Sequence, residues 1–106
     1  MYPLSVIESF ADRITEKIFR GDELNRKELQ SLGTMNIEKA FERLAILNRA
    51  DERTLRQIPY LYYHSLHGTS RYSIDAYSRK SKWRITFLWK DEEMTDVLLV
   101  RLEDTH

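Results

Sequence analysis

The sequence predicts an α+β fold, with helices packed on one face of a mostly antiparallel sheet. Three observations carry this expectation. Apolar residues recur at helical spacing only in the first half of the chain. The second half instead alternates at period two, in short segments separated by polar turns. The chain has 106 residues, 42% hydrophobic and 32% charged, with three Gly and two Pro, which fits a single globular domain over 1–106.

The elements follow in order. Ile7, Phe10, Ile14 and Ile18 recur at three- and four-residue steps, charged residues fill the opposite face, and Gly21 is a natural stop. Periodicity therefore predicts a first helix reaching back to Ile7. Residues 22–33 are polar, with Leu24, Leu29 and Leu32 as sparse apolar marks, and read as a loop with one helical turn. Asn36 can cap a second helix, whose apolar face is Ile37, Ala40, Phe41, Leu44 and Leu47. Both stripes read as core. Residues 61–66 after Pro59 form a strand candidate, His67 to Ser70 a hairpin turn, and 71–77 a second strand. In 82–89, Trp83, Ile85, Phe87 and Trp89 share one face, and Arg84, Thr86 and Leu88 share the other. A polar turn at 90–93 leads to a last strand at 96–102.

Composition narrows the function classes. Zero Cys excludes a disulfide framework, thiolate metal sites and a cysteine nucleophile, and fits a reducing cytoplasm. No apolar run approaches the roughly 20 residues of a membrane span, and the N-terminus lacks the features of a secretory leader. A cytoplasmic location without membrane partners is expected. Seventeen basic and seventeen acidic residues give zero net charge, which at first argues against nucleic acid. Counting by segment reverses that. Residues 1–53 carry nine basic and ten acidic side chains (−1), residues 54–90 seven and one (+6), and residues 91–106 one and six (−5).

Three constellations could carry chemistry. His64, His67 and His106 are the only histidines. They lack the companion ligands and spacing of a zinc site, so no metal or cofactor is expected, but histidine suits proton transfer near neutral pH. Arg71, Arg79, Lys80, Lys82, Arg84 and Lys90 are interleaved with Tyr72, Tyr77, Trp83 and Trp89. Cations beside aromatics can hold phosphates and stack bases, although composition alone favours a solvated face over a site. Arg84, mid-strand, is expected to be an exposed cation able to meet a phosphate. Finally, the chain ends Glu103, Asp104, Thr105, His106, with a carboxylate and an imidazole two residues apart. Taken alone, such an end reads as frayed.

Taken together these residues resemble a known family. The run Trp83, Arg84, Ile85, Thr86, Phe87, preceded by Tyr72, Ser73, Ile74 and followed by Asp96, Val97 and the terminal Glu103 to His106, is similar to the HigB toxins of the RelE superfamily. Tyr63, His64, Ser65, Leu66, His67, Gly68 falls in the order of that family's L-H-P-L-K-G stretch. The resemblance implies a RelE-like fold in which two N-terminal helices pack on a mostly antiparallel twisted sheet. It also implies a short strand near residues 5–10 where periodicity extends the helix. The implied activity is cleavage of messenger RNA in the ribosomal A site, by attack of the RNA's own 2′-hydroxyl. The implied partner is a HigA-like helix-turn-helix antitoxin, with operator DNA reached only through it. By resemblance, His64, Arg84, Asp104 and His106 form the catalytic set, and His67, Arg71, Arg79, Lys80, Lys82 and Thr105 contact RNA. Thr105 stands where the family has a tyrosine, leaving base stacking to Tyr62, Tyr63 or Tyr72. His67 stands where the family has a lysine. These departures motivate an alternative, a non-catalytic homologue that binds antitoxin in an autoregulatory repressor complex.

Overall fold

The computed structural model describes residues 6–105. Among these, four α-helices precede a four-stranded sheet: α1 (Arg13–Arg20), α2 (Arg26–Leu32), α3 (Ile37–Leu47), α4 (Glu52–Arg56), then β1 (His64–Ser65), β2 (Tyr72–Asp75), β3 (Trp83–Trp89) and β4 (Val97–Asp104). The α+β class is as expected, but the helical half holds four helices where two were expected. Sparse apolar marks hid α2 and α4, which are set by their caps. Asn25 accepts from the Glu28 backbone N–H while Glu28 accepts from the Asn25 N–H, a reciprocal capping box. Asp51 caps α4 by accepting from the Thr54 N–H and hydroxyl.

The N-terminal segment also departs from periodicity. Helix α1 begins only at Arg13, because the Asp12 side chain accepts from the Thr15 N–H at 2.7 Å and fixes the start there. Ile7 and Phe10 make isolated parallel bridges with Val97 and Val100. Their spacing mimics a helix because Ile7 is buried in the core and Phe10 packs against it, although the segment between them is not helical. Residue 5, the start of the strand implied by the resemblance, lies outside the described residues.

The sheet is a meander in the order β1-β2-β3-β4, every neighbour antiparallel. The predicted strand at 61–66 shrinks to His64–Ser65. Pro59 starts a 3₁₀ turn through Leu61, and Tyr62 follows in the left-handed region at φ 52°, which interrupts an extended run. At the other end β4 runs two residues past the expected limit, because Asp104 still pairs with Trp83. Between Thr86 and Leu88 the β3–β4 register shifts, so that two residues of β4, Leu99 and Val100, stand against Phe87. Leu99 takes φ 51°, the signature of a bulge.

The free side of β4 is sealed. Val97 and Val100 N–H groups donate to the Val6 and Ser9 carbonyls, and the Leu99 N–H donates to the Ser9 hydroxyl. Further along, the Leu102 N–H donates 2.8 Å to the hydroxyl of Thr15 on α1. The helix-facing side of the sheet buries Ile74, Ile85, Phe87, Val97, Val100 and Leu102 against Ile18, Ala40, Leu44 and Leu47. Each fully buried aliphatic side chain contributes about 1.5–3 kcal/mol. An aromatic group closes one end. Tyr63 stacks on Tyr72 at 5.7 Å, Trp89 meets Phe87 edge-on at 5.3 Å, and the Trp89 indole donates to the Tyr63 hydroxyl, which donates to Glu52. Burial raises the Tyr63 phenol well above its ordinary pKa.

Thr15 tests the edge seal. Valine keeps the shape of threonine but removes the acceptor, leaving the buried Leu102 N–H without its partner. Thr15→Val should cost about 1–3 kcal/mol, measured by urea unfolding.

Candidate functional site

The register assigns every strand residue to a face. His64, Ser73, Thr86 and Arg101 align across the sheet in one row, and Asp75, Arg84 and Glu103 in the next. Both rows lie opposite to Ile74, Ile85 and Leu102 and form a polar face turned away from the helices.

One half of this face is organised by Glu103. It accepts from the Thr86 hydroxyl and from Arg101 Nε at 2.9 Å, and Arg71 Nε stands 3.8 Å away. Arg71 also donates to the Thr86 hydroxyl at 3.1 Å and to the carbonyl of the bulge residue Leu99 at 2.6 Å. Burial works to raise the Glu103 pKa, but the hydrogen bonds from Thr86 and Arg101 outweigh it and hold the carboxyl below its usual range. Burial pushes the Arg71 pKa down.

The other half is organised by Asp75, only 1% exposed. Arg84 Nε and Arg79 Nη2 lie 3.2 and 3.4 Å from its carboxylate. Neither approach has hydrogen-bond geometry, and both carboxylate oxygens, like the buried Ser73 hydroxyl, lack a hydrogen-bond partner. Burial raises the Asp75 pKa, against the opposing pull of Arg84, Arg79, Arg43 and His64. The expectation of an exposed Arg84 is corrected here: its side chain is about as buried as the core. Asp75 stands directly across from it, and the carbonyls of Arg79 and Ser81 in the β2–β3 connection, with that of Trp83 at the start of β3, wrap its guanidinium. Burial lowers the Arg84 pKa. Arg79, 44% exposed, is the cation at the Asp75 carboxylate that a ligand can reach.

His64 joins the same face from β1. Its Nδ1 lies 2.7 Å from the Tyr62 carbonyl, which only accepts, so Nδ1 carries the proton and donates. In the neutral ring Nε2 is then the unprotonated nitrogen.

The remaining predicted residues do not all converge on this face. Asp104 pairs in register with Trp83, which places it on the helix-facing side, across the sheet from His64 and Arg84. Together with Lys82, Trp83, Tyr77 and the end of α2 it lines a recess there, so Lys82 groups with Asp104 rather than with Arg84. The backbone N–H and hydroxyl of Thr105 both donate to the Lys82 carbonyl, at 3.1 and 3.3 Å, extending the ladder where a frayed end was expected. His67 is exposed in the β1–β2 turn and Lys80 in the β2–β3 connection. His106 lies outside the described residues.

Alternation had placed Thr86 on the face of Arg84, but sequence reasoning missed Asp75, Ser73, Arg101 and Glu103 as members of it. One signal was visible: Asp75 is the single acid of the +6 segment. Arg43 was also missed. It reaches from α3 to donate to the Asp75 and Tyr77 carbonyls at 3.0 and 3.1 Å.

Among the described residues, no group of three or more His, Asp or Glu is placed to hold a metal ion, and no helix is long and apolar enough to cross a membrane. The sequence matches no protein-family model, and no curated protein matches it significantly.

Glu103→Gln should destabilise the fold by about 1–2 kcal/mol at neutral pH. A depressed carboxyl pKa stabilises above the unfolded value of 4.5 and loses that contribution as pH falls through the lower folded value. The difference between wild type and variant should therefore shrink below pH 4.5 in denaturation curves recorded across that range.

Proposed function

We propose that this chain is a HigB-like toxin of the RelE type, a ribosome-dependent endonuclease that cleaves messenger RNA and is neutralised by a HigA-like antitoxin in the cytoplasm. The order of elements, helices first and then an antiparallel meander ending in Asp104, supports reading the fold as RelE-like. The observation that carries the activity is the fixed tautomer of His64 on a sheet face bearing Arg71, Arg79 and Arg101.

On this reading His64 Nε2 takes the proton of a 2′-hydroxyl. The freed oxygen attacks the adjacent phosphorus, the bond to the 5′-oxygen breaks, and a cyclic phosphate forms. On this reading the departing oxygen takes its proton from His106. Arg79 stabilises the charged transition state. Arg84 acts one step back: it neutralises Asp75 and donates to the Arg79 carbonyl. Lys80, Lys82, His67 and Thr105 contact the RNA on either side.

Replacing a general acid or base costs about 10²–10⁴-fold. Programmed ribosomes incubated with wild type, His64→Gln or His106→Ala should show cleavage reduced by about that factor in both variants, and expression of either should relieve growth arrest. Equal cleavage by wild type and His64→Gln sinks the assignment of His64. Arg79→Gln should lower cleavage by about 10²-fold with little loss of stability. Arg84→Met should instead cost about 3–5 kcal/mol in unfolding, because it leaves Asp75 buried without its main counter-charge.

A second reading is favoured by two specific observations. Arg84 is saturated by Asp75 and backbone carbonyls, and Asp104 lies across the sheet from His64. On that reading the chain binds antitoxin within a repressor complex and has no nuclease activity. It predicts no cut transcripts from wild type on purified ribosomes, with antitoxin binding intact in a pull-down of the co-expressed pair.

A further inference from the structure

The aromatic residues just before and beside His64 divide into two groups. Tyr63 and Tyr72 belong to the aromatic cluster with Phe87 and Trp89. Tyr60 and Tyr62 are 57% and 55% exposed, the two most exposed large apolar side chains described. Each carries a guanidinium over its ring: Arg43 at 4.8 Å from Tyr60, and Arg79 at 4.4 Å from Tyr62. Neither arginine is a loose surface cation. Arg43 is clamped by the Asp75 and Tyr77 carbonyls, and Arg79 is held at the Asp75 carboxylate.

Tyr62 is also unusual in its backbone. At φ 52° it occupies a region that bulky residues avoid. That geometry directs its carbonyl to His64 Nδ1 while its ring stays more than half exposed outside the core. Exposed rings with fixed cations over them are the elements from which proteins build stacking platforms for unpaired bases, with the cation available to the neighbouring phosphate.

We infer that Tyr62 with Arg79, and Tyr60 with Arg43, stack two successive unpaired bases of a single-stranded RNA and so present the backbone to His64. The choice of RNA rests on the function proposed above; the platforms themselves rest on the exposure and geometry of these four side chains. Stacking of this kind accepts any base, since every base has a π-face. The pair therefore sets position along the strand rather than sequence.

The test is a fluorescence-anisotropy titration of the full chain with a short fluorescein-labelled oligouridylate at physiological salt. Wild type should bind with a Kd of about 10⁻⁴–10⁻⁶ M. Tyr62→Asn keeps a residue that tolerates the left-handed backbone but removes the ring; it should weaken binding about 5- to 150-fold, the span of ~1–3 kcal/mol per stacked base. Tyr62→Phe keeps the ring and should bind as wild type does. Thermal melts of both variants check that the fold is retained. No measurable binding by wild type, equal binding by Tyr62→Asn, or equal loss in Tyr62→Phe and Tyr62→Asn would each overturn the inference. Cleavage is scored separately. His64-dependent cleavage with Tyr62-independent binding removes the platform and leaves the nuclease. Tyr62-dependent binding without cleavage removes the nuclease and leaves the platform.

Discussion

Asp75 and Arg84 face each other across β2 and β3, and their pairing uses the same register that aligns Ile74, Ile85 and Leu102 on the opposite side. A slip of one residue would turn the aliphatic row outward and bring the ion pair into the helix-facing core. β3 is buried on both faces over residues 84–87, so hydrophobicity alone specifies its orientation weakly. The charged pair supplies the missing asymmetry. Its net contribution to stability is small, because desolvating two charges roughly cancels their attraction, whereas an unmatched partner costs several kcal/mol. The pair thus acts mainly on which arrangement forms. Two further cations gather around it: Arg79 at the same carboxylate, and Arg43 on the backbone carbonyl of Asp75 itself.

The same pair separates two roles that sequence reading had joined. Arg84 stood out because it was a cation in mid-strand, on the face away from Trp83 and Ile85. That face is indeed polar, and its row membership was legible from alternation alone. Its burial was not, because burial depends on Asp75 lying directly opposite and on a turn whose carbonyls fold back over the guanidinium. In a single strand neither is visible. Arg79, in the turn, has less distinctive sequence context and ends up the more accessible of the two.

The helical half shows a related limit. α3 was read correctly because its apolar spacing is regular, and Ile37–Leu47 is the span observed. α2 and α4 have few apolar residues to mark them, and what makes them helices is capping chemistry: Asn25 with Glu28, and Asp51 with Thr54. Conversely, Ile7 and Phe10 mimicked helical periodicity while lying in a non-helical segment bridged to β4, because both reach the same core from that edge. The terminal Asp104 was likewise legible as a position but not as a side, since its face follows from the Trp83 register.

The sealing of β4 has a consequence in time as well as in space. The Leu99 N–H bonds to Ser9 across 90 residues of chain, and Leu102 bonds to Thr15 across 87. Such pairings close the longest loops in the molecule, and loops of that length close late and slow the search for the native state. During synthesis, Val6 and Ile7 can meet Asn48 once α3 has emerged, but the pairings of residues 6–10 with β4 form only after β4 has been made. The helices can form before then, but the sheet cannot acquire its fourth strand or Glu103. The polar face is therefore complete only once β4 has emerged and paired with β3, which brings Glu103 to Thr86.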